Sequence, residues 1–487
     1  IKKKRNQLNN NNTIGMETEL KNESKFQDTI CAPATARGVA ALGMIRISGP
    51  NAISIINEIF VTTKGLKCVM KDTASGVTRH GFIVNARNET IDEVMCTIFR
   101  APNSFTGEDT VEISHHGSIF IQQQIMVSIV NLGARIAING EFSQRAFLNG
   151  KIALSQAEAI ADLISARTAM SHHLAMKQLH GGYTEKIKEI REEFVKLLSL
   201  LELELDFSEE DVEFASRDNL NQLMQHSIDE LEKLVKSFEA GSAFKNGIPV
   251  AIIGKPNSGK STIMNAILNE ERSIVSPISG TTRDTVEESV QIEGIEYRFI
   301  DTAGLRSAKD SIERKGIERS YKAIERAHII LYVCDLTNTP YEEVQAELLL
   351  LDSQVSLSGK KIIIIGNKTD LVRSNKVQKE AWDAMNSLQI SAINNIGIDE
   401  LLARIAKISD KDEKQDELLV TNARHNDAMM RTLAALLVAQ ESLAEGQPID
   451  IIASDIREAI HYIGEITGEV TTDEVLNNIF SRFCIGK

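Results

Sequence analysis

One stretch constrains this chain more than any other. Val250-Ala251-Ile252-Ile253 reads as a strand buried on both faces, and Gly254-x-x-x-x-Gly259-Lys260-Ser261 follows directly. Apolar residues at helical spacing (Ile263, Met264, Ala266, Ile267) come next. Strand, glycine-rich loop and helix in this order can turn successive backbone N–H groups inward around phosphate oxygens. Gly254 and Gly259 permit the curl, with Asn257 and Ser258 between them, and Ser261 and Thr262 open the helix. Lys260 is placed to reach the β- and γ-phosphates, and the Ser261 hydroxyl suits Mg²⁺.

Three further motifs follow in the order that a nucleotide domain requires. The polar loop Ser276-Pro277-Ile278-Ser279-Gly280-Thr281-Thr282 is where a second Mg²⁺ ligand is expected, at Thr282. Asp301-Thr302-Ala303-Gly304 ends an apolar strand, so the aspartate can hold the metal through water and the glycine amide can meet a γ-phosphate. The apolar runs 329–335 and 361–366 read as two more parallel strands, and the second leads into Asn367-Lys368-Thr369-Asp370. The Asp370 carboxylate matches guanine N1–H and N2–H₂, two donors that adenine lacks. Asn367 is expected at the Hoogsteen edge, the Lys368 stem over the ring, and the Ser391-Ala392 backbone at O6. Residues 248–410 therefore read as a Ras-like P-loop GTPase domain that binds GTP and Mg²⁺. Leu305 stands where Ras has a water-orienting glutamine. Hydrolysis is then either poor or served by another group, and Arg306 to Arg319 holds several candidates, including Glu313.

Length and charge bound the rest. A chain of 487 residues suggests about three domains. The net charge of −14 gives no overall positive field toward nucleic acid, so RNA contact is expected to be local or supplied by a partner. The five cysteines are scattered and lack C-x-x-C spacing, which suits a reducing compartment and argues against structural zinc. No apolar run reaches membrane-spanning length. Residues 1–27 read as a disordered or non-native leader, with 1–15 upstream of a start at Met16, and the cytoplasm is the expected location.

Residues 28–150 alternate strand and helix patterns, with strands at 40–49, 94–99 and 110–117 and a helix at 52–59. Arg46 and Glu112 lie in or beside these strands and face either solvent or a ligand. His115 and His116 are adjacent on a strand, so their side chains diverge and no metal site is expected. From Lys151 the pattern becomes helical. Residues 202–213 carry seven acidic side chains and no basic one, as a solvated helix end and loop would. A helix at 217–240 leads to the boundary Gly247-Ile248-Pro249. Helical patterns resume after Asp410, at 418–441, 448–464 and 472–480, and need the apolar stripes of 152–240 as a partner. The expected division is 28–150, helical 151–247, GTPase 248–410 and helical 411–487, with the GTPase domain inserted in a helical one. On its own, Cys484 near the chain end reads as incidental, and Ile485-Gly486-Lys487 after it is not a prenylation signal.

Together these residues resemble the bacterial tRNA modification GTPases of the MnmE (TrmE) family. The resemblance runs from about Asp28 to Lys487. Its most specific parts are Arg46 to Gly49, Asn103 to Asp109, Gly140-Glu141-Phe142-Ser143 with Arg145 to Lys151, Gly280 to Asp284, and Phe483 to Lys487. It implies an N-terminal folate-binding, dimerising α/β domain, a helical domain and an inserted GTPase domain. With an FAD- and NADH-using partner, MnmG (GidA), the family modifies C5 of the wobble uridine of certain tRNAs as a heterotetramer. The tRNA is expected to be held largely through that partner. A tetrahydrofolate derivative (5-formyl- or 5,10-methylene-) supplies the one-carbon unit, and glycine or ammonia the amine. The resemblance implies folate contacts at Arg46, Glu112, Lys151 and Lys487. It implies a K⁺ site at Asn257, Ser276, Ile278 and Thr281, and water activation by Glu313. It also gives Cys484 a part in the modification, against the incidental reading. Ala153 and Asn139 depart from the family's usual Asp and Pro. A ribosome-assembly GTPase would share the nucleotide motifs but not the 28–150 segment or the Cys-Ile-Gly-Lys tail; a non-catalytic scaffold fits poorly with Lys260, Asp301 and Asp370.

Overall fold

The fold, a computed structural model, describes residues 27–36, 38–67, 70–206, 217–269, 274–275, 287–300, 321–372, 382, 386–409, 418–483 and 485–486. It divides into two compact units, one drawn from Ile1–Ala161 with Thr467–Lys487 and one from Asp162–Ile466.

The first unit is built on a seven-stranded sheet. In chain order its strands are β1 (Ile30–Pro33), β2 (Leu42–Ser48), β3 (Phe60–Thr62), β4 (Thr78–Val84), β5 (Thr90–Phe99), β6 (Thr110–His116) and β7 (Arg135–Ile136). They lie side by side as β3-β4-β5-β6-β2-β1-β7, all antiparallel except the β1–β7 pair. Helices α1 (Ala52–Ile59) and α2 (Ile119–Asn131) contribute Ile53, Ile56, Ile125 and Ile129 to one core with Ile45, Ile47, Val111 and Ile113 of the sheet. Full burial of each such side chain is worth about 1.5–3 kcal/mol. Alternation then turns Arg46 and Glu112 to the opposite face. On that side Ile30, Ala32, Ala137 and Phe142 form a smaller cluster with Phe105. Phe142 belongs to α3 (Glu141–Leu148), and α4 (Leu154–Ser165) follows.

The last helix, Asp473–Phe480, packs in this unit: Leu476, Phe480 and Phe483 close on Leu154 and Ala157. The sequence reading grouped 151–165 and 472–487 with the other helices. Their stripes instead complete each other, and the tail continues to Gly486, where a Cβ would lie 2.1 Å from the Pro33 carbonyl oxygen.

The second unit holds a parallel sheet and a helical body. Helices α5 (Ala169–Leu179), α6 (Gly182–Asp206) and α7 (Arg217–Asn246) lead into the strands β8 (Ile248–Ile253), β9 (Ile274–Val275), β10 (Glu288–Ile292), β11 (Ile295–Ile300), β12 (Ile329–Asp335), β13 (Lys361–Asn367) and β14 (Leu388–Gln389). Their order is β14-β13-β12-β8-β11-β10-β9, with β14 to β11 parallel and the β11-β10-β9 edge antiparallel. Strands buried on both faces need near-continuous apolar runs. In β12 six successive residues, Ile329 to Cys334, are buried. One face is covered by Ile263 and Ile267 of α8 (Lys260–Asn269) with Leu401 and Ile405 of α10 (Ile398–Ile408). The other is covered by Ile324, Trp382 and Val344, the last from α9 (Tyr341–Gln354).

The helical body draws on both sides of this sheet in sequence. Ile187, Phe194 and Ile228 of α6 and α7 share a core with Met429 and Leu436 of α11 (Ala423–Ala444) and Ile456 and Ile463 of α12 (Ile449–Thr467). The β10–β11 hairpin is tied to the start of α5. Met170 N donates to Gly294 O at 3.3 Å, and Gln291 Nε2 donates to Arg167 O at 2.5 Å. A capping box between Thr168 and Ser171 fixes that helix start.

The start of α4 lacks such a cap. Ala153 occupies the N-cap position and its carbonyl accepts from Ala157 N at 3.0 Å, while Gln156 Oε1 accepts from Ala153 N at 2.9 Å. Half of a capping box is therefore present. Ala153→Ser or Ala153→Asp supplies the other half and is expected to stabilise the protein by about 0.5–2 kcal/mol. Denaturant unfolding followed on this unit, with Ala153→Gly as the control, measures the gain.

Candidate active sites

The nucleotide motifs converge at the C-terminal ends of β8, β12 and β13. Neighbouring parallel strands leave such a crevice where the chain direction of the sheet order reverses. Gly254 leaves β8 at φ 141°, and a Cβ there would lie 2.1 Å from Val333 O. Gly259 (φ 96°) closes the loop, and its Cβ would lie 2.1 Å from Asn367 Nδ2. No other residue fits either place. Asn257, at φ 62°, takes the left-handed turn that asparagine tolerates. Lys260 folds its ammonium over the loop, donating to Gly254 O at 2.8 Å and Lys255 O at 2.7 Å. Burial pushes its pKa below the usual lysine value. This cation and the loop amides at the start of α8, with Ser261 and Thr262 in its first turn, make a polyphosphate cradle.

Asn367 has a part beside the one its motif suggests. It is 2% exposed. Its Nδ2 donates to Ser258 O at 2.9 Å, and its Oδ1 accepts from Ala392 N at 3.1 Å. One bond from each end of the amide joins the phosphate loop to the Ser391-Ala392 loop, so Asn367 shapes the cleft and keeps a second N–H on Nδ2 and a second lone pair on Oδ1. Ser391 Oγ donates to Asp370 Oδ1 at 2.5 Å, which fixes the carboxylate's orientation. Lys368, at φ 69°, extends to Asp335, whose Oδ2 accepts from Nζ at 2.6 Å. Asp335 was not singled out from the sequence. The available signal was its place at the end of an apolar run, where it pairs in register with Asn367.

Ser276, Pro277, Ile278, Ser279, Gly280, Thr281, Thr282, Asp301, Thr302, Ala303, Gly304, Glu313, Cys484 and Lys487 lie outside the described residues. Among the described residues no cluster of His, Cys, Asp and Glu could hold a metal.

The first unit brings Arg46 and Glu112 together. They sit opposite each other on β2 and β6, and Arg46 Nη2 and Nε donate to Glu112 Oε1 at 2.7 and 3.0 Å. The guanidinium also lies over two rings, 5.2 Å from Phe105 and 5.8 Å from Phe142. Lys151 reaches the loop that carries Phe105: its Nζ donates to Pro102 O at 2.9 Å and its stem passes Gly107. Planar rings, a paired guanidinium and a lysine are the groups that a flat, acid-tailed ligand needs.

Beneath these residues Arg145, 1% exposed, gathers three carboxylates. It donates to Asp28 Oδ1 at 2.7 Å, Glu108 Oε1 at 3.1 Å and Glu141 Oε1 at 3.1 Å. Arg135 adds a two-pronged bond to Glu141 (2.6 and 3.0 Å) and one to Asp28 at 2.8 Å. Burial would raise the Glu141 carboxyl, but Arg135, the Ile138 amide and Arg145 hold it below its ordinary value of 4.5. Burial likewise opposes ionisation of Asp28, and bonds from Arg135 and Arg145 bring it below 3.8. Burial wins at Glu108, whose carboxyl is raised. None of these five residues carried a role in the sequence reading, although Glu108, Glu141 and Arg145 sit in its most specific parts.

Three outcomes follow. Arg145→Met leaves the carboxylate of Glu108 without its cation, while Glu141 and Asp28 keep Arg135, and is expected to cost about 3–5 kcal/mol in urea unfolding at neutral pH. Because Glu141 and Asp28 titrate lower when folded, their contribution is complete above about pH 4.5 and fades as pH falls through their folded values. Glu141→Gln should flatten that acid loss of stability, with Glu108 acting in the opposite sense. In the nucleotide cleft, Asp370→Asn is expected to weaken GTP and strengthen xanthosine triphosphate. Competition binding decides, and unchanged preference would remove Asp370 from base recognition.

The family model of the MnmE helical domain matches residues 154–484, and that of the GTP-binding protein TrmE N-terminus matches residues 29–151. A protein of Parabacteroides distasonis named tRNA modification GTPase MnmE is 46% identical over 463 residues, covering 94% of this chain and all of the relative. Proteins of the same name from Flavobacterium johnsoniae and Bacteroides thetaiotaomicron are each 45% identical, covering 95% of this chain and 99% and 100% of their own lengths. With both family models and near full-length relatives agreeing, the chain belongs to the MnmE (TrmE) family of tRNA modification GTPases.

Proposed function

We propose that this chain hydrolyses GTP as part of the modification of C5 of the wobble uridine in certain tRNAs. The observation that carries the reading is the cleft in which Lys260, Asp370 and Ser391 arrive from separate loops, joined through Asn367. Ser261 with Thr282 is the Mg²⁺ pair, and Asp301 to Gly304 and the loop 276–282 complete the phosphate side. Leu305 offers no polar group to a water molecule, so Glu313 is assigned the activation of the nucleophile. Asn257, Ser276, Ile278 and Thr281 are assigned a K⁺ ion, which would offset the charge developing on the γ-phosphate in the absence of an arginine finger evident in the sequence.

The Arg46, Glu112 and Lys151 cluster, with Lys487, is the proposed site of the tetrahydrofolate derivative. The rings of Phe105 and Phe142 beside the Arg46 guanidinium support it. Cys484 is assigned to the modification itself. The acting species is a homodimer joined to an FAD- and NADH-dependent partner, MnmG, through which the tRNA is largely held. The net charge of −14 supports delegating the RNA contact. The GTPase domain, about 248–410, is an insertion in a helical one, a reading supported by the shared core of α6, α7, α11 and α12. No helix among the described residues is long and apolar enough to cross a membrane. The cytoplasm is the proposed location.

One set of measurements tests both sites. Replacing K⁺ by Na⁺ at constant ionic strength is expected to slow GTP turnover, and Asn257→Ala to make the rate indifferent to the exchange. Calorimetric titration with 5-formyltetrahydrofolate should show binding that Arg46→Ala and Lys151→Ala weaken while GTP affinity holds. Equal rates in both salts would sink the K⁺ assignment, and folate affinity unchanged in both variants would sink the folate one.

A further inference from the structure

The end of β12 clasps the end of β13. Leu336 N donates to Asn367 O at 3.1 Å, and the Leu336 side chain closes on Gly366, where a Cβ would lie 2.6 Å from Leu336 Cδ2. Asp335 stands at the centre of this clasp and uses both carboxylate oxygens. Oδ1 accepts from Thr337 N at 2.9 Å and from Thr337 Oγ1 at 2.6 Å, and Oδ2 accepts from Lys368 Nζ at 2.6 Å. The carboxylate is thus held by its own turn before it holds the lysine. Side-chain exposures of 14% for Asp335 and 29% for Lys368 place the pair partly out of solvent, where a charge-assisted bond counts for more than at an open surface.

We propose that Asp335 is a positioning residue for the base site, one that stretches the Lys368 side chain into a fixed platform for the face of a purine. The proposal rests on the guanine-nucleotide reading of the cleft. The face of the ring is nearly the same in guanine and hypoxanthine, whereas the edge differs by the 2-amino group that Asp370 can read. The two carboxylates then divide the work. Asp335, through Lys368, governs how tightly any 6-oxopurine nucleotide is held, and Asp370 governs which one. A lysine released from Asp335 regains its rotamers, and ordering it again on binding costs affinity without regard to the base edge.

The test is a double-mutant cycle read with two nucleotides. Dissociation constants for GDP and IDP are measured on the full chain, its Asp335→Asn and Lys368→Met variants, and the double variant. Asp335→Asn keeps the shape and the acceptor for Thr337 but turns an amide toward the ammonium. It is expected to weaken GDP and IDP by the same factor, about three- to tenfold. In the Lys368→Met background the same change should cost less than about twofold. An equal loss in both backgrounds, or a loss that differs between GDP and IDP, would overturn the proposal. Thr337→Val is the second variant and decides the matter if Asp335→Asn does not fold. It removes one anchor of the same carboxylate, so a smaller but shared loss for both nucleotides supports the platform and no loss overturns it. Wild-type protein that takes up neither GDP nor IDP would refute the guanine-nucleotide reading itself, a result distinct from a failed cycle.

Discussion

A single guanidinium, that of Arg145, holds the first unit in its working shape. It is 1% exposed and bonded to Asp28, Glu108 and Glu141, which come from the chain before β1, the loop before β6 and the start of α3. Such a cluster is weak evidence for net stability, because desolvating the charges offsets much of their attraction. Its effect is on geometry. Each carboxylate belongs to a segment that borders the Arg46–Glu112 face, and each is tied to the same guanidinium. Ser48 Oγ, which donates to Glu108 Oε2 at 2.8 Å, carries the same order into the strand that bears Arg46. Arg46 and Glu112 are therefore set in place by residues on segments that border them.

The second unit reaches the same end by neutral means. Its phosphate loop is shaped by two glycines that no side chain can replace, and its base-side loops are joined by the amide of Asn367. A buried amide can donate and accept at once, so one side chain registers three loops without bringing in a net charge. That leaves the charged groups of the cleft, Lys260, Lys368 and Asp370, to act on a nucleotide.

Local pattern made much of this legible. The apolar runs of β8, β12 and β13 announced a parallel sheet, and the loop from Gly254 to Ser261 announced what stands at its edge. Arg46 and Glu112 were readable as candidates only through family resemblance, since alternation alone leaves a charged strand residue facing either solvent or ligand. What stayed hidden depends on residues far apart in sequence. Asp28 and Arg145 are separated by more than a hundred positions, and no periodicity joins them. The structural part of Asn367 was hidden for a related reason: its motif suggests a base contact and says nothing of its neighbours in space, Ser258 and Ala392. The helices at 154–165 and 473–480 have ordinary apolar stripes, and a stripe does not say which partner it will find.

The two hydrogen bonds between the β10–β11 hairpin and the start of α5 change the mechanics of the sheet domain. A domain inserted in another is tethered where the chain enters and leaves it, and a body held at two points can swing about the line that joins them. Here the entry at β8 and the exit beyond α10 are joined by a third attachment, at Gln291 and Gly294. Met170 and Leu174 at this attachment are also buried in the same apolar core as Val290, Ile292 and Tyr297 of the sheet. Swinging the sheet domain against the helices would therefore break both bonds and uncover these side chains, each worth about 1.5–3 kcal/mol when fully buried.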